Sequence, residues 1–301
     1  MELRVLQYFL AVAREQNISA AAASLHLSQP ALSTQLKALE NELGKPLLIR
    51  GTKGSRKILL TEEGMLLRKR AEEILELVRI TENEISLSDE MIAGDVYIGA
   101  GESDMIRLFA RTAKTMQQRH PHIHYHILSG NAVFVQEHLD RGLIDFGVVY
   151  GPVNSEIYSS MKLPAQDTWG VLMRKDSPLA QKDVIVPQDL WDQPLILSAQ
   201  KHDAGPMANW LEQDLSQLNV VATYNLVFNA SLLVEEGLGY AICFDHLINV
   251  TGESNLCFRP LSPQMVAEAS IIWKRYQVFS KAANCFLNEL KQELFPPAVM
   301  T

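Results

Sequence analysis

The sequence predicts a multidomain α+β protein with a small N-terminal winged helix-turn-helix, one long helix, and a larger C-terminal domain of two α/β lobes. Three observations lead to this prediction. Two short helical patterns joined by a tight turn lie near the N-terminus, and a helical pattern without proline follows from Glu62 to about Ser88. From Asp95 onward, segments typical of strands and helices alternate, as they do in parallel α/β sheets.

The two short helical patterns predict a helix-turn-helix. The first runs from Ser19, whose hydroxyl can cap free backbone amides, to Leu25. The second has Ser28 as its candidate N-cap and a proline in its first turn, where a missing N–H costs nothing. One face of this second helix is apolar at helical spacing and should pack inward. Its members are Leu32, Leu36 and Leu39.

The opposite face of the second helix carries short polar side chains and a cation near a helix N-terminus. Such side chains suit base edges and phosphates in a major groove, so this helix is predicted to read DNA. Any pair of helices in a small bundle can show the same polar outer face, and this is the alternative interpretation. The predicted reading residues are Ser28, Gln29, Pro30, Ser33, Thr34 and Lys37.

Charge is distributed unevenly along the chain. The net charge of the 301 residues is -8, yet residues 1–61 carry +4, which leaves -12 for the remainder. A basic head on an acidic body is typical of a DNA-binding domain joined to a domain that avoids phosphates. Cations interleaved with glycines after the second helix predict a two-stranded wing against the DNA backbone, although a solvated loop has the same composition. These cations are Arg50, Lys53, Arg56 and Lys57.

The long helical pattern carries a narrow apolar strip with spacings of four and three residues. A strip this narrow is typical of a coiled-coil seam and predicts pairing with the same helix of a second subunit. Packing within one chain is the alternative. The predicted dimerisation residues are Leu67, Ala71, Ile74, Val78 and Ile85, and Thr81 continues the spacing.

The C-terminal domain begins after Gly94 and is predicted to contain two α/β lobes. The first set of elements comprises strand 95–99, helix 104–119, strand 123–128, helix 132–142 and strand 145–149. The second comprises strand 169–173, a helix followed by a strand within 189–197, helix 206–217, strand 221–227, helix 230–236 and a strand within 237–244. A strand at 269–275 and a helix at 280–294 should return to the first lobe, so the chain crosses between lobes near 161–164 and near 265–269.

Ligands of open α/β sheets bind beyond the carboxyl ends of strands, where helix N-termini offer free amides. Four predicted loops satisfy this condition, at 101–103, 130–132, 198–200 and 229–231. Helix capping alone is the alternative role for each loop. Glu102 and Asp104 would oppose an anion, so a neutral ligand, a cationic ligand or none is compatible with the sequence. The predicted ligand-contacting residues are Gly101, Ser103, Asn131, Ser198, Gln200 and Asn229.

The histidines and cysteines predict neither a metal site nor a disulfide framework. Three cysteines without CxxC spacing suggest reduced thiols, and Cys243 lies in an apolar strand where a thiol usually packs. Four histidines alternate along a predicted edge strand and are expected to lie on its outer face. The predicted buried face of this strand is formed by Ile123, Tyr125 and Ile127. These histidines are His120, His122, His124 and His126.

The sequence contains no motif typical of an enzyme, a cofactor-binding protein or a membrane protein. No GxSxG, GxxxxGK[ST] or HExxH motif is present, and GAGESD lacks the third glycine of a dinucleotide-binding loop, so neither catalysis nor a cofactor is predicted. No apolar run approaches the roughly 20 residues that span a bilayer, and no secretory leader is visible. We therefore expect a cytoplasmic protein and disfavour an exported solute receptor.

The stretch AAASLHLSQPALSTQLKALENELGKPLL, followed by LTEEG, resembles the N-terminal domain of the LysR-type transcriptional regulators. The likeness is strong over residues 1–65, and it is weaker but colinear from there to the C-terminus. The chain departs from the family's Leu-Phe-x-Arg pattern, since it has Leu47, Leu48, Ile49 and Arg50, and GTKGSRK replaces a shorter basic wing. The resemblance implies a winged helix-turn-helix at 1–61, a dimerising linker helix at 62–90, and an effector-binding domain at 91–301.

The resemblance further implies a periplasmic-binding-protein-like effector domain, with lobe I at 91–162 and 266–301 and lobe II at 163–265. It places an effector-contacting hydroxyl at Ser103. Implied partners are a double-stranded DNA operator, a small-molecule effector, other copies of the chain in a dimer or tetramer, and RNA polymerase in an activator. Activation and repression both fit this organisation. Peroxide-sensing relatives use a cysteine pair in the region of Cys243 and Cys257, so a redox-sensing regulator is one alternative, and a two-lobed enzyme with a DNA-binding head is another.

Overall fold

The computed structural model describes residues 1–50, 57–86, 92–199 and 206–295. The chain divides into two compact units, Met1–Leu87 and Ser88–Thr301. Among the described residues, no helix is both long and apolar enough to cross a membrane.

Three helices form the core of the first unit: α1 (Leu3–Glu15), α2 (Ile18–Ser24) and α3 (Gln29–Leu43). The predicted inner face of α3 is confirmed, because all three of its leucines are at most 2% exposed. The predicted cap of α2 is wrong. Asn17 and not Ser19 caps this helix, since the Asn17 carboxamide oxygen accepts hydrogen bonds from the amides of Ser19 and Ala20.

The predicted two-stranded wing is present as an antiparallel pair, β1 (Leu48–Arg50) and β2 (Ile58–Leu60). Glu40, near the end of α3, holds the start of the wing. One oxygen of its carboxylate accepts hydrogen bonds from the backbone amides of Leu47, at 2.8 Å, and Leu48, at 3.1 Å. This acidic side chain therefore couples the direction of α3 to that of the wing.

The long helix α4 (Glu62–Ser86) starts directly after the wing. The Thr61 hydroxyl accepts a hydrogen bond from the amide of Gly64, at 2.9 Å, and donates one to the carbonyl of Pro46, at 2.8 Å. Gly64 has no room for a side chain, because an added Cβ would lie 2.2 Å from the carbonyl oxygen of Leu47. The Leu-Thr-x-x-Gly stretch thus fixes where the wing ends and the helix begins.

In the second unit, the first lobe contains the predicted alternation of strands and helices. It comprises β3 (Gly94–Ala100), α5 (Ile106–Arg119), β4 (Ile123–Ser129), α6 (Ala132–Asp140) and β5 (Phe146–Tyr150), joined later by α9 (Lys281–Leu294). Strand β3 runs parallel to both β4 and β5. Phe109, Phe146 and Phe286 pack between the sheet and the helices and form the centre of this core.

Two long strands connect the lobes: β6 (Tyr158–Arg174) and β11 (Val266–Lys274). The prediction of a strand only at 169–173, after a connection near 161–164, is therefore wrong. Both strands pair antiparallel, but Glu268 faces Gln166 whereas Ser270 faces Lys162. Residues 163–165 of β6 thus stand opposite the single residue Ala269, so β6 has two extra residues here, and Pro164 cannot donate a ladder hydrogen bond. The crossing is thus a continuous strand with a bulge.

The second lobe contains β7 (Leu195–Ser198), α7 (Pro206–Leu211), β8 (Val220–Tyr224), α8 (Val227–Glu235), β9 (Tyr240–Phe244) and β10 (Leu256–Pro260). Strand β7 runs parallel to β8 and β9, and β6 pairs antiparallel with β9 and β10. The strand order of the whole sheet is β4-β3-β5-β11-β6-β9-β7-β8. The sheets of the two lobes are therefore joined through β6 and β11.

Several predicted boundaries in the second lobe are wrong. The predicted helix 206–217 ends at Leu211, because the next residue, Glu212, has a positive φ of 55°, and only a short 3₁₀ turn follows. The predicted helix before β7 is likewise only a 3₁₀ turn, Pro187–Asp189. The predicted strand 221–227 ends at Tyr224, and a helix begins at Val227. Asn229 consequently lies in the first turn of α8 and not in a loop.

Strand β4 is an edge strand, as predicted for the segment rich in histidine. Its buried face was only partly predicted. Ile123 is 1% exposed, whereas Ile127 is 45% exposed because it lies near the end of the edge strand, so its assignment to the buried face is wrong. His126 remains partly exposed, and its ring stacks on that of Tyr97 of β3, with centroids 4.5 Å apart.

Candidate functional site

The outer face of α3 presents the predicted DNA-reading side chains. Gln29, Thr34 and Lys37 are exposed, and Ser33 is half-buried. The Ser28 hydroxyl caps the helix by accepting a hydrogen bond of 3.4 Å from the amide of Ala31. The apolar opposite face anchors α3 in the core of the head, so these polar groups are held at a fixed surface.

Two hydrogen bonds order the polar side chains of α3. The Gln29 amide nitrogen donates to the Ser33 hydroxyl at 2.9 Å, and the Thr34 hydroxyl donates to the backbone carbonyl of Pro30 at 2.9 Å. A base edge could replace the first bond without moving the helix, because both partners lie at the surface. The hydroxyl of Thr34 is committed to its own helix, which leaves its methyl group for apolar contact.

The wing cations are only partly described. Arg50 ends β1, and Lys57 is exposed just before β2. Lys53 and Arg56 lie outside the described residues. Arg50 is opposite Ile58 in the strand pair, so the backbone of Arg50 lies close to that of Lys57.

The predicted apolar strip of α4 divides into two parts. Ala71 is completely buried and Leu67 packs against the core of the head, so this part of the strip is covered by its own chain. Ile74 and Val78 are half-buried, and Ile85 is 78% exposed. Any surface for a partner helix therefore begins further along α4 than the sequence predicted.

In the first lobe, predicted ligand-contacting residues lie at one edge of the sheet. Gly101 and Ser103 follow β3, and Asn131 follows β4, so they lie at the carboxyl ends of neighbouring parallel strands. The amide of Gly130 donates to the carbonyl of Ala100 at 2.9 Å, which brings the two loops together. The Asn131 side chain caps α6 by accepting a hydrogen bond from an amide of its first turn.

Ser103 takes part in a buried hydrogen-bond cluster. Its hydroxyl donates to Oδ2 of Asp167 at 2.6 Å and accepts from the amide of Met105 at 3.0 Å. The hydroxyl of Tyr150 donates to the same oxygen of Asp167. Ser103 and Asp167 are 7% and 4% exposed. Burial, together with the hydrogen bond to Asp167, raises the pKa of Tyr150 far above its ordinary value, so the phenol stays a donor.

Asp167 and Tyr150 were not predicted from the sequence as residues of the site. Tyr150 ends β5, and Asp167 lies on β6 where the chain crosses between lobes. The only sequence signal for Asp167 is that a charged residue lies within β6, a strand that pairs with β11 on one side and with β9 on the other. This signal can be recognised only when β6 is known to be one continuous strand. Two hydroxyls from the first lobe thus converge on a carboxylate of the crossing strand.

In the second lobe, Ser198 and Phe244 lie at the carboxyl ends of parallel strands. Ser198, half-buried, ends β7, and Phe244 ends β9. The ring centroids of Phe244 and Tyr150 lie 5.3 Å apart, and those of Phe244 and Trp169 lie 4.3 Å apart. The lobes therefore meet through aromatic rings beside Asp167. Gln200 lies outside the described residues.

One acidic side chain of the first lobe reaches the second. The Glu102 carboxylate accepts a hydrogen bond from the amide of Val227, the first residue of α8. The residue that precedes this helix, Leu226, has no side chain able to cap it. Asn229, predicted to contact a ligand, is exposed in the same helical turn. Glu102 thus joins the loop that carries Gly101 and Ser103 to the first turn of α8, which carries Asn229.

Cys243 and Cys257 lie on opposite faces of the sheet in the second lobe. Cys243 is opposite Gly170 of β6, and Cys257 is opposite Met173. Directly opposed residues share a face, and positions three apart along a strand face opposite sides. The cysteines also belong to separate apolar clusters. Burial raises the pKa of Cys243 to about 12. A disulfide between these cysteines requires a rearrangement of the lobe.

The histidine segment forms a polar cluster with a carboxylate from the neighbouring strand. Nε2 of His126 lies 2.8 Å from Oδ1 of Asp95, and Nδ1 of His124 lies 4.0 Å from the same atom. No group of three or more histidine, cysteine or acidic residues with the geometry to hold a metal ion occurs in the part of the chain that the structure describes.

Comparison with known proteins agrees with this arrangement of head and lobes. Residues 3–65 match the family model described as bacterial regulatory helix-turn-helix protein, lysR family, and residues 90–295 match the LysR substrate binding domain. The Hca operon transcriptional activator HcaR of Escherichia coli is 31% identical over 91% of this chain and 92% of its own length. The E. coli dual regulator OxyR is 30% identical over 67% of this chain and 65% of its own.

A solved structure of full-length CbnR bound to its target DNA shares the fold, with a TM-score of 0.77 and 20% sequence identity. The match covers 97% of this chain and 99% of CbnR. The two family models together span almost the whole chain, and the homologous proteins are regulators and not enzymes. The chain is therefore a member of the LysR family of bacterial DNA-binding transcriptional regulators, with a helix-turn-helix head and an effector-binding domain.

Proposed function

We propose that this chain binds an operator in double-stranded DNA as a homo-oligomer, and that a small molecule held between its two lobes changes its effect on transcription. The observation that carries the proposal is the α3 surface. Its apolar face is fixed in the head by Leu32, Leu36 and Leu39, while its outer face offers ordered polar groups and a cation. Such a helix is suited to a major groove.

In the proposed complex, the outer face of α3 reads bases and the wing binds the DNA backbone. Gln29 and Ser33 supply donors and acceptors for base edges, and Lys37 reaches a phosphate. The wing cations neutralise further phosphates without reading sequence. The full proposed interface is Ser28, Gln29, Pro30, Ser33, Thr34, Lys37, Arg50, Lys53, Arg56 and Lys57.

Assembly is proposed to use the distal part of α4. The apolar side chains of Ile74, Val78 and Ile85 keep exposed surface in the single chain, whereas Ala71 does not. A second α4 packed along this strip would bury them. The two heads of such a dimer would contact two half-sites in the DNA. A dimer of dimers would contact more half-sites in the same way. The strip proposed for pairing is supported by these exposures.

The proposed effector site is the cleft between the lobes, lined by Gly101, Ser103, Asn131, Ser198, Gln200 and Asn229. A ligand alters transcription only if it binds one arrangement of the lobes better than another. The bulge at 163–165 of β6 offers a place where the crossing strands can bend, and Asp167 lies two residues beyond it. In an activator, the arrangement favoured by the ligand would also engage RNA polymerase. Such a regulator would act in the cytoplasm.

Selection from a library of genomic DNA fragments tests the proposal. Full-length protein, incubated with fragments at moderate salt, should retain a small set that shares a pair of half-sites about one helical turn, or a multiple of it, apart. Retention of fragments without any shared sequence would contradict sequence-specific binding. Small molecules extracted from cells are then fractionated and added to the intact protein on a selected fragment. At least one fraction should change the DNA footprint.

A further inference from the structure

We infer that Glu102 acts as a built-in anionic ligand that bridges the two lobes and makes the cleft selective against acidic effectors. The inference rests on the proposed function, since it concerns which ligands the effector cleft accepts. Glu102 follows Gly101 in the loop after β3, and its carboxylate accepts the hydrogen bond of the Val227 amide in the other lobe. The carboxylate thus occupies the amino end of α8.

The contact matches what an anionic ligand group would do at this position. The first amides of a helix have no partner within the helix and favour negative charge. Leu226 supplies no cap, so the bond from Val227 to Glu102 satisfies an amide that the second lobe cannot satisfy itself. In the described part of the chain, the charge of Glu102 is not neutralised by any arginine, lysine or histidine side chain.

Two groups of the second lobe lie close enough to Glu102 to be influenced by its charge. Its charge contributes to raising the pKa of both Tyr224, at the end of β8, and Cys243, in β9, although burial is the larger cause for each. Asp245 adds a second negative charge beside Cys243. An effector carboxylate entering here would meet two acids and an occupied helix terminus.

Two consequences follow for ligand recognition. A neutral or cationic effector can enter while Glu102 stays on α8, so the bridge holds the lobes together around it. An acidic effector must first displace Glu102, and its binding is weakened by the cost of that displacement. The side chain at position 102 is therefore a specificity determinant of the cleft.

Hydrogen exchange of the full-length protein tests this assignment. In Glu102→Ala, the amides at the start of α8 should exchange roughly 10- to 100-fold faster than in the wild type, because a charge-assisted hydrogen bond is lost. Sodium acetate, replacing sodium chloride at constant ionic strength, should restore protection in this variant, since acetate supplies the carboxylate that alanine lacks. Wild-type protein should show no acetate response.

Glu102→Gln is the matched control, because it fills the same space without charge. Its exchange should lie between that of the wild type and that of Glu102→Ala, and acetate should not change it. Unchanged exchange in Glu102→Ala, or faster exchange that acetate fails to slow, would overturn the inference. The proposed function fails separately: wild-type protein that selects no DNA would refute it even where acetate protects α8.

Discussion

The hydroxyl of Ser103 donates a hydrogen bond of 2.6 Å to Oδ2 of Asp167, so the first loop of the cleft is tied to the strand that joins the lobes. The Ser103 hydroxyl also accepts a hydrogen bond from the backbone amide of Met105, the residue just before α5. A ligand that competes for this hydroxyl must disturb either the start of α5 or the crossing strand. The bond would therefore link occupancy of the proposed effector cleft to the position of β6.

Replacing Ser103 with alanine should lower the free energy of unfolding of the effector unit by about 1–3 kcal/mol, because buried Asp167 loses one of its two hydroxyl donors. Tyr150→Phe should have a similar cost for the same reason. Urea unfolding followed by tryptophan fluorescence measures both changes. Ser160→Ala is a suitable control, since Ser160 is exposed on the same strand as Asp167.

The double variant of Ser103 and Tyr150 gives a sharper result. With both donors removed, Asp167 is left buried without either hydroxyl, so the combined loss should exceed the sum of the single losses. In Ser103→Ala, the response of the DNA footprint to a bound effector should also disappear while binding of the operator persists. Additive losses, or a normal effector response in Ser103→Ala, would show that the cluster has only a packing role.

The structure of the head could be predicted from sequence because its signals are local. Three leucines at helical spacing and a serine before them define α3 without reference to any distant residue. The cap of α2 was misplaced by two positions, since Asn17 and Ser19 are both good caps and only the backbone decides between them. Glu40, which binds the start of the wing, gave no local signal at all.

The contacts around Ser103 and Glu102 could not be predicted, because they join residues that are distant in sequence. Ser103 and Asp167 are 64 residues apart, and the bridge from Glu102 to Val227 spans 125. The predicted strand 221–227 was also misleading, since its valines, threonine and tyrosine favour a strand in isolation. Instead, residues from Val227 onward form α8, because a helix buries Val227, Ala230 and Val234 together on one face.

The Cys243 thiol should make the stability of the effector unit depend on pH in the alkaline range. Burial raises its pKa from 9.0 to about 12, so the thiol ionises in the unfolded chain before it does so in the folded one. Stability is therefore intact below pH 9 and falls as the pH rises toward 12. Between pH 7.5 and 10 the loss should be about 1.4 kcal/mol in urea unfolding.

Cys243→Ala should remove that part of the pH dependence, and the difference between wild type and variant isolates it from buried tyrosines. Native protein treated with peroxide should also form no disulfide between Cys243 and Cys257, because the two lie on opposite faces of the sheet. Formation of this disulfide in the folded protein, detected by peptide mass, would favour a redox-sensing regulator.

Substitution of a wing cation by alanine should weaken binding to all DNA sequences alike. Each lost phosphate contact should reduce the slope of log Kd against log salt by about one unit. The variants are Arg50→Ala, Lys53→Ala and Arg56→Ala, measured by fluorescence anisotropy on operator and random duplexes. Lys114→Ala, on α5 of the other unit, changes the net charge equally and should leave the slope unchanged. A change of preferred sequence would assign base reading to the wing.

Assembly should depend on the distal strip of α4. Ile74→Asp places a charge in the proposed apolar layer between two helices, which coiled coils tolerate poorly, so light scattering should show a shift to smaller species. Val184→Asp introduces the same charge at a 42% exposed apolar position of the effector domain and should keep the wild-type mass. An unchanged mass for Ile74→Asp would show that this side chain packs within one chain.

Discrimination between operator and random DNA should depend on Gln29 and Ser33. Each alanine variant should lose about 1–3 kcal/mol of discrimination without loss of folding, because the side chains lie on the surface and offer hydrogen bonds to base edges. Gln35→Ala is the matched control. Gln35 is also exposed on α3 but lies about 120° away around the helix axis, so it should face away from the groove. Equal losses for Gln29→Ala and Gln35→Ala in competition binding would mean that α3 enters the groove in a different orientation, and the reading face would then have to be reassigned.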